Sequence, residues 1–246
     1  MDNKVLLTHG DSFTWGYQPN NGDPLENPFP KLLAQKLNFD LVNCALYSLS
    51  NQTICRELLH FLPKYKDNVF LVVGWTNVNR NEWFSEETKE WNSLVTQDKR
   101  IVWEMKSFLH DLYETLKCIK LIQYYCESNN IPYLFFNTFP NDFKVKGETL
   151  IIKKQPYTKN LSFECGSIFS RTIFEHYDEY KDYNLDSFID LIDTKYFCDE
   201  IFWDYVLRDE QKYTFMPNDG HPNENGHSIW ADYLFNEINR LGMLDG

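Results

Sequence analysis

A basic face is missing from this chain: 24 Lys and Arg stand against 36 Asp and Glu, a formal net charge of −12 over 246 residues. Non-specific binding to nucleic acid or to an anionic membrane needs the opposite balance, so both partner classes are excluded. Long apolar runs are missing too. The longest, such as Val69 to Val73, are strand-sized and fall far short of the roughly 18 uninterrupted residues of a membrane span. Met1-Asp2-Asn3-Lys4 leads straight into a short apolar segment, without the basic region, apolar stretch and cleavage site of a secretion signal. The expectation is a cytoplasmic protein with no membrane partner. Its six cysteines (Cys44, Cys55, Cys118, Cys126, Cys165, Cys198) are scattered, with no Cys-x-x-Cys pair, so they are expected to be reduced and mostly buried. Neither Gly-x-x-x-x-Gly-Lys nor Gly-x-Gly-x-x-Gly occurs, and no cofactor or metal is implied.

What the chain does have is aromatic surface: 7 Trp, 15 Tyr and 19 Phe, 17% of the residues. That is far more apolar area than a disordered chain carries, and it predicts a folded protein with a sizeable core. The first half alternates in type. Apolar runs at Val5–Thr8, Asp40–Leu46, Val69–Gly74 and Ile131–Phe136 read as buried strands. Between them, apolar residues recur three or four apart. Phe29, Leu32, Leu33 and Leu37 form one such set; Ile54, Leu58, Leu59 and Leu62 form another, with Pro63 as its expected end; a third runs from Ile101 to Ile122 in a helix expected to start near Asp98. Strand and helix in alternation imply a parallel sheet with helices on both faces, a three-layer α/β/α sandwich. A C-terminal helix over Asn223 to Leu241 is expected to cover the sheet.

Residues 140–216 are the least regular part. Lys144 to Lys154 reads as polar loop, and an aromatic-acidic tract runs from Phe174 to Tyr213. No Pro-, Ser- or Gly-rich linker separates this stretch, so the chain is taken as a single domain, 1–246, with an aromatic-rich elaboration at about 140–216.

The chemistry-bearing residues collect in four segments. Gly10-Asp11-Ser12 directly follows the first strand, and loops at the carboxyl ends of parallel strands are where α/β folds place their sites. A serine hydroxyl needs a base to act as a nucleophile near pH 7, normally a histidine whose other nitrogen is held by a carboxylate. Asp219-Gly220-His221-Pro222 supplies both groups. Two intermediate segments, Asn43 to Asn51 and Gly74-Trp75-Thr76-Asn77, follow the second and third strands. Each offers N–H, hydroxyl and amide groups suited to a developing oxyanion.

Taken in this order, the four segments resemble the blocks of the SGNH/GDSL hydrolase family. That resemblance implies a flavodoxin-like α/β/α sandwich. It implies a serine esterase in which Ser12 is the nucleophile and one oxyanion donor, and Asp219 and His221 complete the triad. The family's second-block glycine falls on Ser48, and its third-block Asn falls on Thr76, so Ser48 with Thr76 or Asn77 would complete the oxyanion hole. The family's last block has its Asp three residues before the His, where this chain has Asn218; Asp219, two before, is taken as the partner. His227 is the alternative base, or else a surface or capping residue. His9 tunes the site or packs, and His60, His110 and His176 read as structural. The implied substrate is a small-molecule or carbohydrate ester. A catalytically reduced carbohydrate-binding protein and a sugar O-acyltransferase on the same scaffold stay open.

Overall fold

The computed structural model describes residues 4–18, 23–65, 67–78, 80, 82–93, 108–139, 143–146, 149–152, 191–208, 216 and 220–244. In chain order these form β1 (Val5–His9), α1 (Ser12–Trp15), α2 (Phe29–Leu37), β2 (Asp40–Asn43), α3 (Asn51–Tyr65), β3 (Val69–Trp75), β4 (Glu82–Ser85) and β5 (Glu90–Ser93). There follow α4 (Phe108–Ser128), β6 (Tyr133–Asn137), β7 (Phe143–Lys146), β8 (Thr149–Ile152), β9 (Phe197–Ile201), α5 (Phe202–Leu207) and α6 (Glu224–Arg240).

Five strands make one sheet in the order β2-β1-β3-β6-β9, with every neighbouring pair parallel. All seven residues of β3 are buried, as expected of a central strand covered on both faces. Side chains alternate between those faces, and the alternation divides the core in two. Leu7, Leu71, Val73 and Phe135 face α3 and α4, meeting Ile54, Leu58, Leu116 and Ile119. Leu6, Phe70, Val72, Leu134 and Phe136 face α2, α5 and α6, meeting Leu33, Phe202, Trp230 and Leu234. Phe202 and Trp230 stack with centroids 4.8 Å apart and planes 8° from parallel. Each such buried side chain stabilises the fold by about 1.5–3 kcal/mol relative to exposure. The architecture is the expected α/β/α sandwich. Its strand order is that of flavodoxin-like sheets, in which the chain direction reverses between β1 and β3 and leaves a crevice at their carboxyl ends.

Four elements differ from the sequence expectation. The second strand stops at Asn43, where the Asn43 side chain turns back to accept from the Ala45 N–H at 3.1 Å. Pro63 does not end α3, which continues to Tyr65. Its ring faces solvent while Leu62 beside it is buried, so only one backbone hydrogen bond is forfeited in the last turn. Lys144 to Lys154 is not all loop, because Phe143–Lys146 and Thr149–Ile152 pair as an antiparallel hairpin. Within the stretch assigned to the elaboration, Phe197–Ile201 supplies the fifth strand of the central sheet and Phe202–Leu207 a helix packed on it. The expected start of the third helix near Asp98, and most of the aromatic-acidic tract, lie outside the described residues.

Gly74, near the carboxyl end of β3, has no room for a side chain: an added Cβ would sit 2.7 Å from the Phe136 ring and 2.7 Å from Thr14 Oγ1. Both neighbours are buried and fixed by their own packing. Gly74→Ala is therefore expected to lower stability by about 1–3 kcal/mol, seen as a lower urea midpoint at unchanged slope.

Candidate active site

The site begins where β1 stops. Asp11 adopts extended backbone angles and caps α1, its Oδ1 accepting from the Phe13 N–H at 3.0 Å. This satisfies one of the donors that a helix start leaves without a partner. Gly16 closes the four-residue helix in the left-handed conformation, φ 83°, where an added Cβ would meet Pro28 at 2.6 Å. Ser12 is thereby held at the first helical position, only 4% exposed.

The other oxygen of Asp11 ties this turn to the loop after β3. Oδ2 accepts from Thr76 Oγ1 at 2.6 Å and from Arg80 Nη1 at 3.0 Å, and the Arg80 guanidinium lies over the Phe139 ring at 5.0 Å. The carboxylate is fully buried, a position tenable only with such partners. Thr76 in turn donates its backbone N–H to Asn51 Oδ1 at 2.9 Å, and Asn51 Nδ2 donates to the Thr76 carbonyl and to Thr115 Oγ1, both at 3.1 Å. The Thr76 hydroxyl is thus directed to Asp11. Asn77, next in the chain, is half-buried.

His221 arrives from the other end of the sequence. It precedes α6, whose N-cap Asn223 accepts from the N–H groups of Asn225 and Gly226 at 2.9 and 3.1 Å. The His221 carbonyl accepts from Met216 N at 2.9 Å. Its Nε2 lies 3.0 Å from Ser12 Oγ, within the reach a general base needs. Phe13 and Tyr17 flank the ring with centroids 5.2 and 4.9 Å away. Asn218 and Asp219 lie outside the described residues.

Ser48 sits in the loop after β2 with φ 60°, the left-handed conformation that costs a side-chain-bearing residue about 1–2 kcal/mol. Glycine adopts such an angle without that cost. Among the described residues, neither the Ser12 nor the Ser48 backbone N–H is donated to another group.

His227 corrects the surface expectation. It is 1% exposed, stacked on Phe29 with planes 13° apart, and its Nδ1 accepts the Phe29 N–H at 3.2 Å. Pro28, the N-cap of α2, provides no side-chain bond of its own. His227 therefore caps a helix about 200 residues away in sequence, and its lone pair is committed there. Burial first, and the His221 imidazole second, push its pKa down to about 3. No sequence signal revealed the parts played by Arg80 or Glu57. Arg80 is one of 24 basic residues, and Glu57 reaches the site only by accepting from buried His9 Nε2 at 2.9 Å. His60 and His110 are exposed, and His176 lies outside the described residues.

Two measurable consequences follow from these local conformations. The unfolded chain protonates His227 near 6.5 and the folded chain near 3. Stability from this group is therefore present above pH 6.5 and falls as pH drops toward 3, by up to about 1.4 kcal/mol per unit. His227→Asn keeps an acceptor for Phe29 and should flatten that slope in urea titrations between pH 6.5 and 5. At Ser48 the left-handed strain exceeds the roughly 0.4–1 kcal/mol of chain entropy that a glycine adds to the unfolded state. Ser48→Gly is accordingly expected to raise Tm by about 1–2 °C, measured by calorimetry.

No family model matches the chain, and no curated protein matches its sequence. Solved structures do. The psychrotrophic esterase EstA from Pseudoalteromonas sp., seen inhibited by monoethylphosphonate, superposes with a TM-score of 0.51 at 11% identity, over 97% of this chain and 98% of its own. TesA superposes with a TM-score of 0.51 at 12% identity, over 97% and 99%. A protein from Desulfitobacterium hafniense DCB-2 assigned to the G-D-S-L lipolytic family covers 96% of this chain and 99% of its own, at 19% identity and a TM-score of 0.48. With the strand order, the superpositions on EstA and TesA show that this chain has their α/β/α sandwich fold.

Proposed function

We propose that the protein is a serine-dependent ester hydrolase. The observation that carries this reading is the 3.0 Å separation of Ser12 Oγ and His221 Nε2, from residues 209 positions apart. His221 takes the Ser12 proton as Oγ attacks the ester carbonyl, and Asp219 holds the other imidazole nitrogen and stabilises the imidazolium. The tetrahedral oxyanion is met by the Ser12 and Ser48 backbone N–H groups and by the Asn77 side chain. His221 then protonates the departing alcohol. Water, deprotonated by the same imidazole, releases the acid from the acyl-enzyme.

The proposed substrate is a small-acyl or carbohydrate O-acetyl ester. EstA, which shares the fold at 11% identity, is an esterase by name, and the same chemistry is proposed for this chain on the Ser12–His221 pair. A second reading, a carbohydrate-binding protein with reduced catalysis, draws on Thr76. Its hydroxyl is bonded to Asp11, and loss of one oxyanion donor elsewhere costs about 3 kcal/mol, some hundredfold in rate. Transfer of the acyl group to a sugar instead of to water uses the same acyl-enzyme and differs only in the acceptor.

Hydrolysis of p-nitrophenyl acetate distinguishes the esterase from the binding protein, and product analysis with acceptor sugars detects transfer. Wild type is expected to turn it over and to be labelled at Ser12 by a fluorophosphonate. Ser12→Ala and His221→Ala should each lower kcat by about 10³-fold or more while leaving the urea midpoint within roughly 1 kcal/mol. Turnover that survives Ser12→Ala sinks the proposal.

A further inference from the structure

One buried pair has no place in the mechanism above. His9, completely buried, accepts the Gly10 N–H at Nδ1 (2.9 Å), so its proton sits on Nε2 and is donated to Glu57 Oε2, also at 2.9 Å. Glu57 itself is one-third exposed. An imidazole fixed by a backbone donor on one side holds the carboxylate on the other in one orientation, and Glu57 Oε1 is left without a hydrogen bond among the described residues. The sequence singled out His9 without assigning it a partner, and the fold supplies one from α3.

Glu57 lines a pocket of about 730 Å³, whose walls also include Trp15, Asn43, Leu46, Arg56, His60 and Phe61. That volume falls in the range of small-molecule sites. A ridge of rings runs from the pocket wall toward His221. Trp15 is three residues after Ser12 on α1, and its ring lies 5.6 Å from Tyr47 and 6.1 Å from Tyr17. Tyr17 is 4.9 Å from the His221 imidazole. Tyr47 is 57% exposed and Leu46 46%, an unusual display of apolar surface beside the Ser48 loop.

The lining decides what fits. An alkyl chain would strip water from the Glu57 carboxylate and give it no partner. Arg56 in the same wall is already paired with Glu82, so a carboxylate or phosphate ligand would still be repelled by the Glu57 charge. A flat aryl ring could stack on Trp15 but would leave Glu57 Oε1 unbonded. A hydroxylated ring meets both demands, its C–H face on the aromatic face and a hydroxyl donated to a charged acceptor, the stronger kind of hydrogen bond. Resting on the esterase reading, we propose that this pocket is a sugar subsite for the non-reacting part of the ester, with Glu57 set by His9 as its hydroxyl acceptor and Trp15 as its stacking face.

The test compares two acetyl esters, a methyl glucoside acetylated at O6 and p-nitrophenyl acetate, through the ratio of their kcat/KM values. Glu57→Gln keeps an acceptor for His9 but turns an amide N–H₂ toward the pocket, and Trp15→Ala removes the stacking face. Each is expected to lower the sugar-to-aryl ratio about tenfold, chiefly through KM for the sugar ester. A purely structural role for the His9–Glu57 pair would move both esters together and leave the ratio alone. The same sugar ester titrated calorimetrically into Ser12→Ala should bind saturably, and at least fivefold more weakly in the double variants with Glu57→Gln or Trp15→Ala. Ratios within twofold of wild type, or binding unaffected by both changes, overturn the subsite even if Ser12-dependent hydrolysis is robust. Binding that responds to both changes in a protein that hydrolyses neither ester upholds the subsite and removes the esterase reading instead.

Discussion

The buried carboxylate of Asp11 joins the parts of this molecule that chemistry requires to be close. One oxygen caps the short helix that presents Ser12; the other accepts from Thr76 and Arg80 on the loop after β3. A charge with no exposure is tolerable only while all of these donors are in place, because breaking a buried pair by removing one partner costs several kcal/mol. The Ser12 turn and the loop after β3 are therefore not independent. Asn51 extends the tie, fastening the Thr76 backbone to the start of α3 and to Thr115 on α4.

The sheet gives this network its location. β1 and β3 are neighbours, and their chains depart to opposite sides, so the crevice at their carboxyl ends is open to solvent. Ser12, Ser48 and Thr76 each follow a different strand at that edge. His221 comes from the segment before α6, which lies against α2 and the β1 side of the core. The buried cap that His227, six residues beyond His221, gives α2 ties the first turn of α6 to that same core. His227, expected as an alternative base or else a surface or capping residue, is a buried cap that secures the helix following His221.

Much of the fold could be read from periodicity. The Val69–Val73 run, buried on both faces, and the three-four spacing of Ile54, Leu58 and Leu62 each signal their element without help from distant residues, because the burial pattern repeats within one element. The departures occur where distant contacts compete with local preference. Pro63 is tolerated because its ring points to water, and β9 was hidden because Phe197–Ile201, with its acidic Asp199 and Glu200, gains strand structure only by pairing with β6. At Ser48 the φ of 60° shows that the surrounding loop dictates the conformation against the preference of a side-chain-bearing residue.

Residue type and order determined that this chain has a parallel α/β sandwich, a Ser12 turn at a strand end and a histidine segment just before its last helix. Those are properties of patterns a few residues long, and of the short-range sterics and hydrogen bonding that act over them. Only the tertiary structure decided which partners the polar side chains take: Thr76 to Asp11 and not to open space, His227 to the start of α2, His9 to Glu57, Arg80 to Asp11. The physical reason is burial. A polar group withdrawn from water must find its bonds inside the protein, and what is inside depends on elements tens to hundreds of residues away.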